Sequence, residues 1–236
     1  MSISSTQKAI TYLEAVVTIF IIAVLISIAI PAFTTVAIRS PQAKALNNAK
    51  TIGLSCTEYA IDHNGQYPSF ILINGTTSKT RISDYSNTAF DQLFPDYLGT
   101  IQIFYQPKSA WTPTKFDDPS PATMAVGKSL PAGSNEWAYV AGLRNTSDSR
   151  LPLIADGFAD LKTHAYTTDE KAKGGVWKGG SPIIVFCDTS ARVMKCDPST
   201  HRIPGSPNGA DLFDTSGQPG WMSSTGTNAQ IVLNPQ

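Results

Sequence analysis

Ala9-Ile-Thr-Tyr-Leu-Glu14-Ala-Val-Val-Thr-Ile-Phe-Ile-Ile-Ala-Val-Leu-Ile-Ser-Ile-Ala-Ile-Pro31-Ala-Phe33 holds one charge, Glu14. No charged residue follows until Arg39. A helix needs ~20 apolar residues to cross ~30 Å of hydrocarbon. Residues 15–38 are therefore expected to form a membrane-spanning helix. A carboxylate at the edge of such a span costs roughly 2–3 kcal/mol on insertion scales and calls for a partner. Thr11, three residues earlier, offers only a neutral hydroxyl. A conventional secretory signal fits poorly, because its apolar core runs only ~7–15 residues. Ile30-Pro31-Ala32-Phe33 is also a bulky place for a cut.

Outward from this stretch, residues 42–63 continue the helical pattern. Ala45, Ala49, Ile52, Cys56, Tyr59 and Ala60 recur on one face, with Lys44, Lys50, Glu58 and Asp62 mostly beside it. Pro31 and Pro41 each remove a backbone donor and can kink the helix. Asn64-Gly65 gives a stop, and Pro68 forbids continuation. The chain has 236 residues, with 18 basic and 18 acidic, so no net field argues for nucleic acid. Its 17 Gly and 16 Pro fall mostly after residue 64 and favour a loop-rich head.

Within that head, Phe90–Phe94 reads as a helical turn, Leu98–Tyr105 as a strand and Thr112–Pro131 as a loop. Residues 69–135 together form an insertion of the kind that carries partner contacts. Glu136–Ala141 and Leu151–Ile154 read as strands. Pro182–Cys187, a turn at Asp188-Thr189-Ser190, and 191–195 form a hairpin. Trp137, Tyr139, Ile184, Phe186 and Val193 are expected on one sheet face, against Ile52, Cys56 and Tyr59. The tail, 197–236, reads as irregular with a terminal strand at Gln230–Leu233.

Lys8-Ala9-Ile10-Thr11-Tyr12-Leu13-Glu14 resembles the processing site of type IV pilins and type II secretion pseudopilins. Pro31 stands seventeen residues after Glu14, the family's spacing for the helix kink. The resemblance implies a cut between Ala9 and Ile10, methylation of the new amine, and an assembly role for Glu14. Ala9 and Ile10 depart from the usual Gly and Phe. Tyr59, Asn64-Gly65 and Tyr67-Pro68 are similar to the helix end of major pseudopilins. The segment Val185-Phe186-Cys187-Asp188-Thr189-Ser190 is similar to a head motif V-x-F-x-D-G-S, with Thr189 for Gly and Lys178 where a His often stands.

The implied fold is α+β and pilin-like. Residues 1–9 are a leader, and 10–64 a long helix with a membrane-spanning and an amphipathic half. Residues 65–236 are a head with the insertion 69–135 and a small antiparallel sheet over 136–195. The implied role is structural rather than enzymatic: a pseudopilus subunit for type II-like secretion. It would sit single-pass in a bacterial inner membrane with the head in the periplasm. The implied partners are itself and other pseudopilins, a prepilin peptidase, an inner-membrane assembly platform, and lipid before assembly. A surface-pilus pilin and a non-polymerising anchored binding module are the alternatives.

No cofactor is expected. A structural Ca²⁺ on loop carboxylates is a minor alternative, with Asp188 and Asp197 first and Asp156, Asp160, Asp211 and Asp214 beside them. Loop aspartates more often form turns. Cys56, Cys187 and Cys196 lack zinc spacing, and the latter two either pair or stay free. No histidine among His63, His164 and His201 sits in a catalytic pattern. Asn74 and Asn145 fit the glycosylation acceptor pattern, which is common by chance.

Overall fold

The computed structural model describes residues 11–73, 76–81, 85–118, 130–209, 211–225 and 229–236, and side chains for these except 28–38, 70–73 and 76–81. Helix α1 runs Tyr12–Asp62. A hairpin of β1 (Phe70–Ile73) and β2 (Thr76–Arg81) follows, then the short helix α2 (Ser86–Phe90). Strands β3 (Trp137–Ala141), β4 (Pro152–Asp156), β5 (Ile183–Phe186), β6 (Ala191–Val193) and β7 (Ile231–Leu233) form one antiparallel sheet in the order β6-β5-β4-β3-β7. The chain divides into two compact units, 1–44 and 45–236, with the boundary inside α1.

In the larger unit, the α1 face at Ala45, Ala49, Ile52, Cys56, Tyr59 and Ala60 is buried, as the three-and-four spacing requires. Gly53 sets the approach to the sheet. A Cβ there would stand 2.8 Å from Val185 Cγ1 and 4.0 Å from Ile154 Cδ1. The register pairs Tyr139 with Ile154 and Leu233, Ile154 with Val185, and Val185 with Ala191. Directly paired residues share a face, so these lie on the α1 side. Ile184 pairs with Ala155 and Arg192, and belongs to the opposite face. Arg192 lies 5.4 Å over the Phe186 ring on that same side. The expected face of Trp137, Tyr139, Ile184, Phe186 and Val193 therefore mixes two faces. Val193 is 44% exposed on the edge strand β6.

The end of α1 closes through Gly65 N–H donating to Ala60 O at 2.8 Å, with Asn64 and Gly65 at φ 54° and 78°. Tyr67 lies back against α1, with its hydroxyl near Thr57, and that hydroxyl donates to Cys187 O at 3.1 Å. The β5–β6 turn places Thr189 at φ 63°, the left-handed region for which the similar head motif has Gly. Ser190 N–H donates to Asp188 Oδ1 across it.

Several expectations are corrected. Leu98–Tyr105 is no strand; Gln102–Phe104 forms one 3-10 turn, and Phe104 N–H donates to Ile101 O. The insertion 69–135 contains the β1–β2 hairpin, whose second strand is polar. Among the described residues, no helix is long and apolar enough to cross a membrane. This overturns the membrane-spanning half of the expected pilin-like fold, the span at 15–38, and the single-pass inner-membrane placement.

Candidate assembly surface and a buried carboxylate pair

Thr11 and Glu14 build the start of α1. Glu14 Oε2 accepts from Thr11 N–H and from Thr11 Oγ1, each at 3.0 Å. Glu14 N–H returns a bond to Thr11 Oγ1 at 3.3 Å. This is a reciprocal capping box, which satisfies donors that a helix start leaves open. The Thr11 N–H, then its hydroxyl, holds the Glu14 carboxyl below its ordinary range. Glu14 thus has partners in its own chain, contrary to expectation. The signal was present as Thr-x-x-Glu ahead of an apolar run.

Beyond the cap, every side chain described from Tyr12 to Ser27 is exposed. Tyr12 is 87% exposed, and Ile19 and Phe20 are each 67% exposed. The two other polar residues turn inward on the helix. Thr18 Oγ1 donates to Glu14 O, and Ser27 Oγ to Val24 O, both at 2.7 Å. The hydroxyls are therefore satisfied without solvent, and the surface they leave is apolar around the whole helix. A stretch apolar all round is ordinarily covered.

The remaining expected site residues are dispersed. Ala9, Ile10 and the leader 1–9 lie outside the described residues. Pro31 lies within α1, and its side chain is outside them too. Asp197 Oδ1 accepts from the Ser199 hydroxyl, then from Thr200 N–H and Ser199 N–H, and these pull its carboxyl down to about 2. Asp188 and Asp197 are turn formers here. Among the described residues, no group of three or more His, Cys, Asp or Glu is placed to hold a metal. All three cysteines are free, so Cys187 and Cys196 are not joined. His63 stacks on Tyr59 with ring centroids 3.7 Å apart. His164 Nδ1 lies 2.7 Å from Asp211 Oδ2.

A second constellation went unread in the sequence. Glu136, just before β3, and Asp156, the last residue of β4, are both buried. The backbones meet there, since Gly157 N–H donates to Glu136 O at 2.9 Å and Trp137 pairs with Asp156. The Ser109 hydroxyl donates to Glu136 Oε2. Asp156 Oδ2 accepts from Ile183 N–H at 2.5 Å and Trp177 Nε1 at 2.9 Å. Glu136 Oε1 and Asp156 Oδ1 have no hydrogen-bond partner. Burial, and then the Asp156 charge, push Glu136 well above the ordinary carboxyl range. Burial pushes Asp156 up to about 7 against the pull of its two donors. No sequence spacing marks this pair, because strand register brings the two residues together.

No family model matches the chain, nor does any curated protein or solved structure. Function therefore rests on the geometry and on the resemblance of the processing site.

Proposed function

We propose that this chain is a pseudopilin-like structural subunit, not an enzyme. Its N-terminal helix packs with the same helix of other copies to form a secretion-type filament. The observation that supports this most is the all-round apolar, exposed surface of α1 from Ala15 to Ser27, where the Thr18 and Ser27 hydroxyls are bonded to the helix backbone. Helices of neighbouring copies would remove that surface from water at about 25 cal/mol per Å². The resemblance of residues 8–14 adds a prepilin peptidase that cuts between Ala9 and Ile10, and other pseudopilins as co-assembling partners. Glu14 would then serve twice, as a cap within its helix and as a register mark between copies.

The test is assembly of the full chain. Sedimentation of wild type should show concentration-dependent oligomers. Phe20→Glu places a charge among the packed helices, which is costly unless paired. It should weaken assembly at least about tenfold, equivalent to 1.4 kcal/mol. A Phe20→Glu chain that assembles as well as wild type would leave a non-polymerising binding module as the better reading. Intact mass and N-terminal sequence of the mature protein check the cut, and retention of Met1 would refute it.

A further inference from the structure

The Glu136–Asp156 pair places two carboxyl groups in the core without a counter-charge. Among the described residues, the ion pairs are Arg150–Asp148, His164–Asp211 and Lys178–Glu170, and none reaches either member. The groups packed around the pair come from four segments. Ser109 and Trp111 come from the stretch before β3, and Tyr166 and Trp177 from the stretch between β4 and β5. Ile183 comes from β5 itself, and Cys196 from the chain after β6. Tyr166 donates to Asp156 O, and its own ionisation is driven far up by burial and by Asp156. Burial likewise raises Cys196, to about 12. Lys173 stands over the face of Trp111, 3.9 Å from the ring centroid. Every neighbour is thus neutral or acidic, and two bare carboxylates there would be prohibitively costly.

The donors divide the two groups. Asp156 holds two N–H donors, which favour its anion. Glu136 holds one hydroxyl, and a hydroxyl can as well accept a proton from a neutral carboxyl. Ser109 also lines an open cleft of about 840 Å³, with Tyr105, Lys108, Thr168 and Lys171 around it. The pair therefore lies behind the wall of a solvent cleft.

We propose that Glu136 and Asp156 form a proton-binding latch, with Glu136 the group that stays protonated in the folded chain, and that losing its protons loosens the segments around Ser109 and Trp177 that close over it. The latch is independent of filament assembly. The folded state holds protons that the unfolded chain releases, because both carboxyls titrate higher when folded. Stability from the pair is complete below the ordinary carboxyl range and falls as pH rises, through about 7 for Asp156 and beyond for Glu136. One proton held only by the folded state lowers the folding constant about tenfold per pH unit.

The experiment is urea unfolding of the full chain from pH 5.5 to 8.5, beside Glu136→Gln, which imitates the protonated group. The wild-type folding constant should fall about tenfold per pH unit above pH 7, while the variant stays nearly flat there and surpasses wild type at pH 8.5. Equal slopes would overturn the latch. Infrared spectra of the folded wild type at pH 7.5 give an answer independent of the variant's folding. They should show the C=O stretch of a buried neutral carboxyl, and its absence would overturn the assignment to Glu136. Hydrogen exchange, corrected for intrinsic rates, should accelerate around Ser109 and Trp177 between pH 6 and 8.5. Unchanged protection there would overturn the loosening.

Discussion

Trp137→Ala should lower the stability of the full chain by about 3–5 kcal/mol, the range for emptying a buried aromatic site. Trp137 is buried at the start of β3, the strand between β4 and β7. Further hydrogen bonds converge on it, among them one from Asn135 Nδ2 to its carbonyl at 3.1 Å. Its Nε1 donates to Ile103 O at 3.3 Å, Ser86 Oγ donates to its carbonyl at 2.6 Å, and its N–H donates to Asn135 Oδ1 at 2.8 Å. Asn135 in turn donates to Ser86 Oγ and Asn87 Oδ1. The backbone bonds survive truncation, so the expected loss comes from the cavity and from Ile103 O losing its donor. Urea unfolding measures it, and a loss below about 1 kcal/mol would show that the site collapses without a void.

Gly53→Val should cost less, and its sign tests the helix–sheet contact directly. Replacing a helical glycine gains up to about 0.5–1 kcal/mol from backbone entropy, less for a β-branched residue. Against this, the new Cβ meets Val185 Cγ1 at 2.8 Å. Val185 is fully buried on β5, between β4 and β6. Overpacking of this kind costs about 1–3 kcal/mol, so a net loss is expected. Gly99→Ala is the control, since nothing lies within 4 Å of its added Cβ. It should fall within about 0.5 kcal/mol of wild type. A stabilised Gly53→Val chain would mean that α1 does not approach the sheet this closely.

What the sequence shows of this fold depends on where its signals are local. Asn64-Gly65 marks a helix end, and 182–195 marks a hairpin, because turn residues bracket short apolar runs. Faces are harder. β5 is buried on both sides, so Ile183, Ile184, Val185 and Phe186 carry no alternation from which to choose a side. Strand β2, Thr76–Arg81, has neither apolar period nor aromatic residues, and its pairing with β1 is invisible until the register is seen. The apolar run after Glu14 invited a membrane helix. Composition alone cannot separate a helix destined for lipid from one destined for other helices. The Thr11–Glu14 cap is legible at its three-residue spacing ahead of an apolar run. The Glu136–Asp156 pair was not legible, since nothing local links residues twenty apart.

The Thr11–Glu14 cap also acts as an angular reference. A helix rotates its side chains about 100° per residue and advances 1.5 Å. Fixing where the first turn begins therefore fixes the compass bearing of Leu13, Val17, Phe20 and Val24 relative to Thr11. Sliding the cap by one residue would swing each of them by more than a quarter turn. In the proposed filament, copies that share this starting phase would present identical ridges at identical bearings. The proposed cut between Ala9 and Ile10 falls just ahead of the cap and would leave that bearing intact.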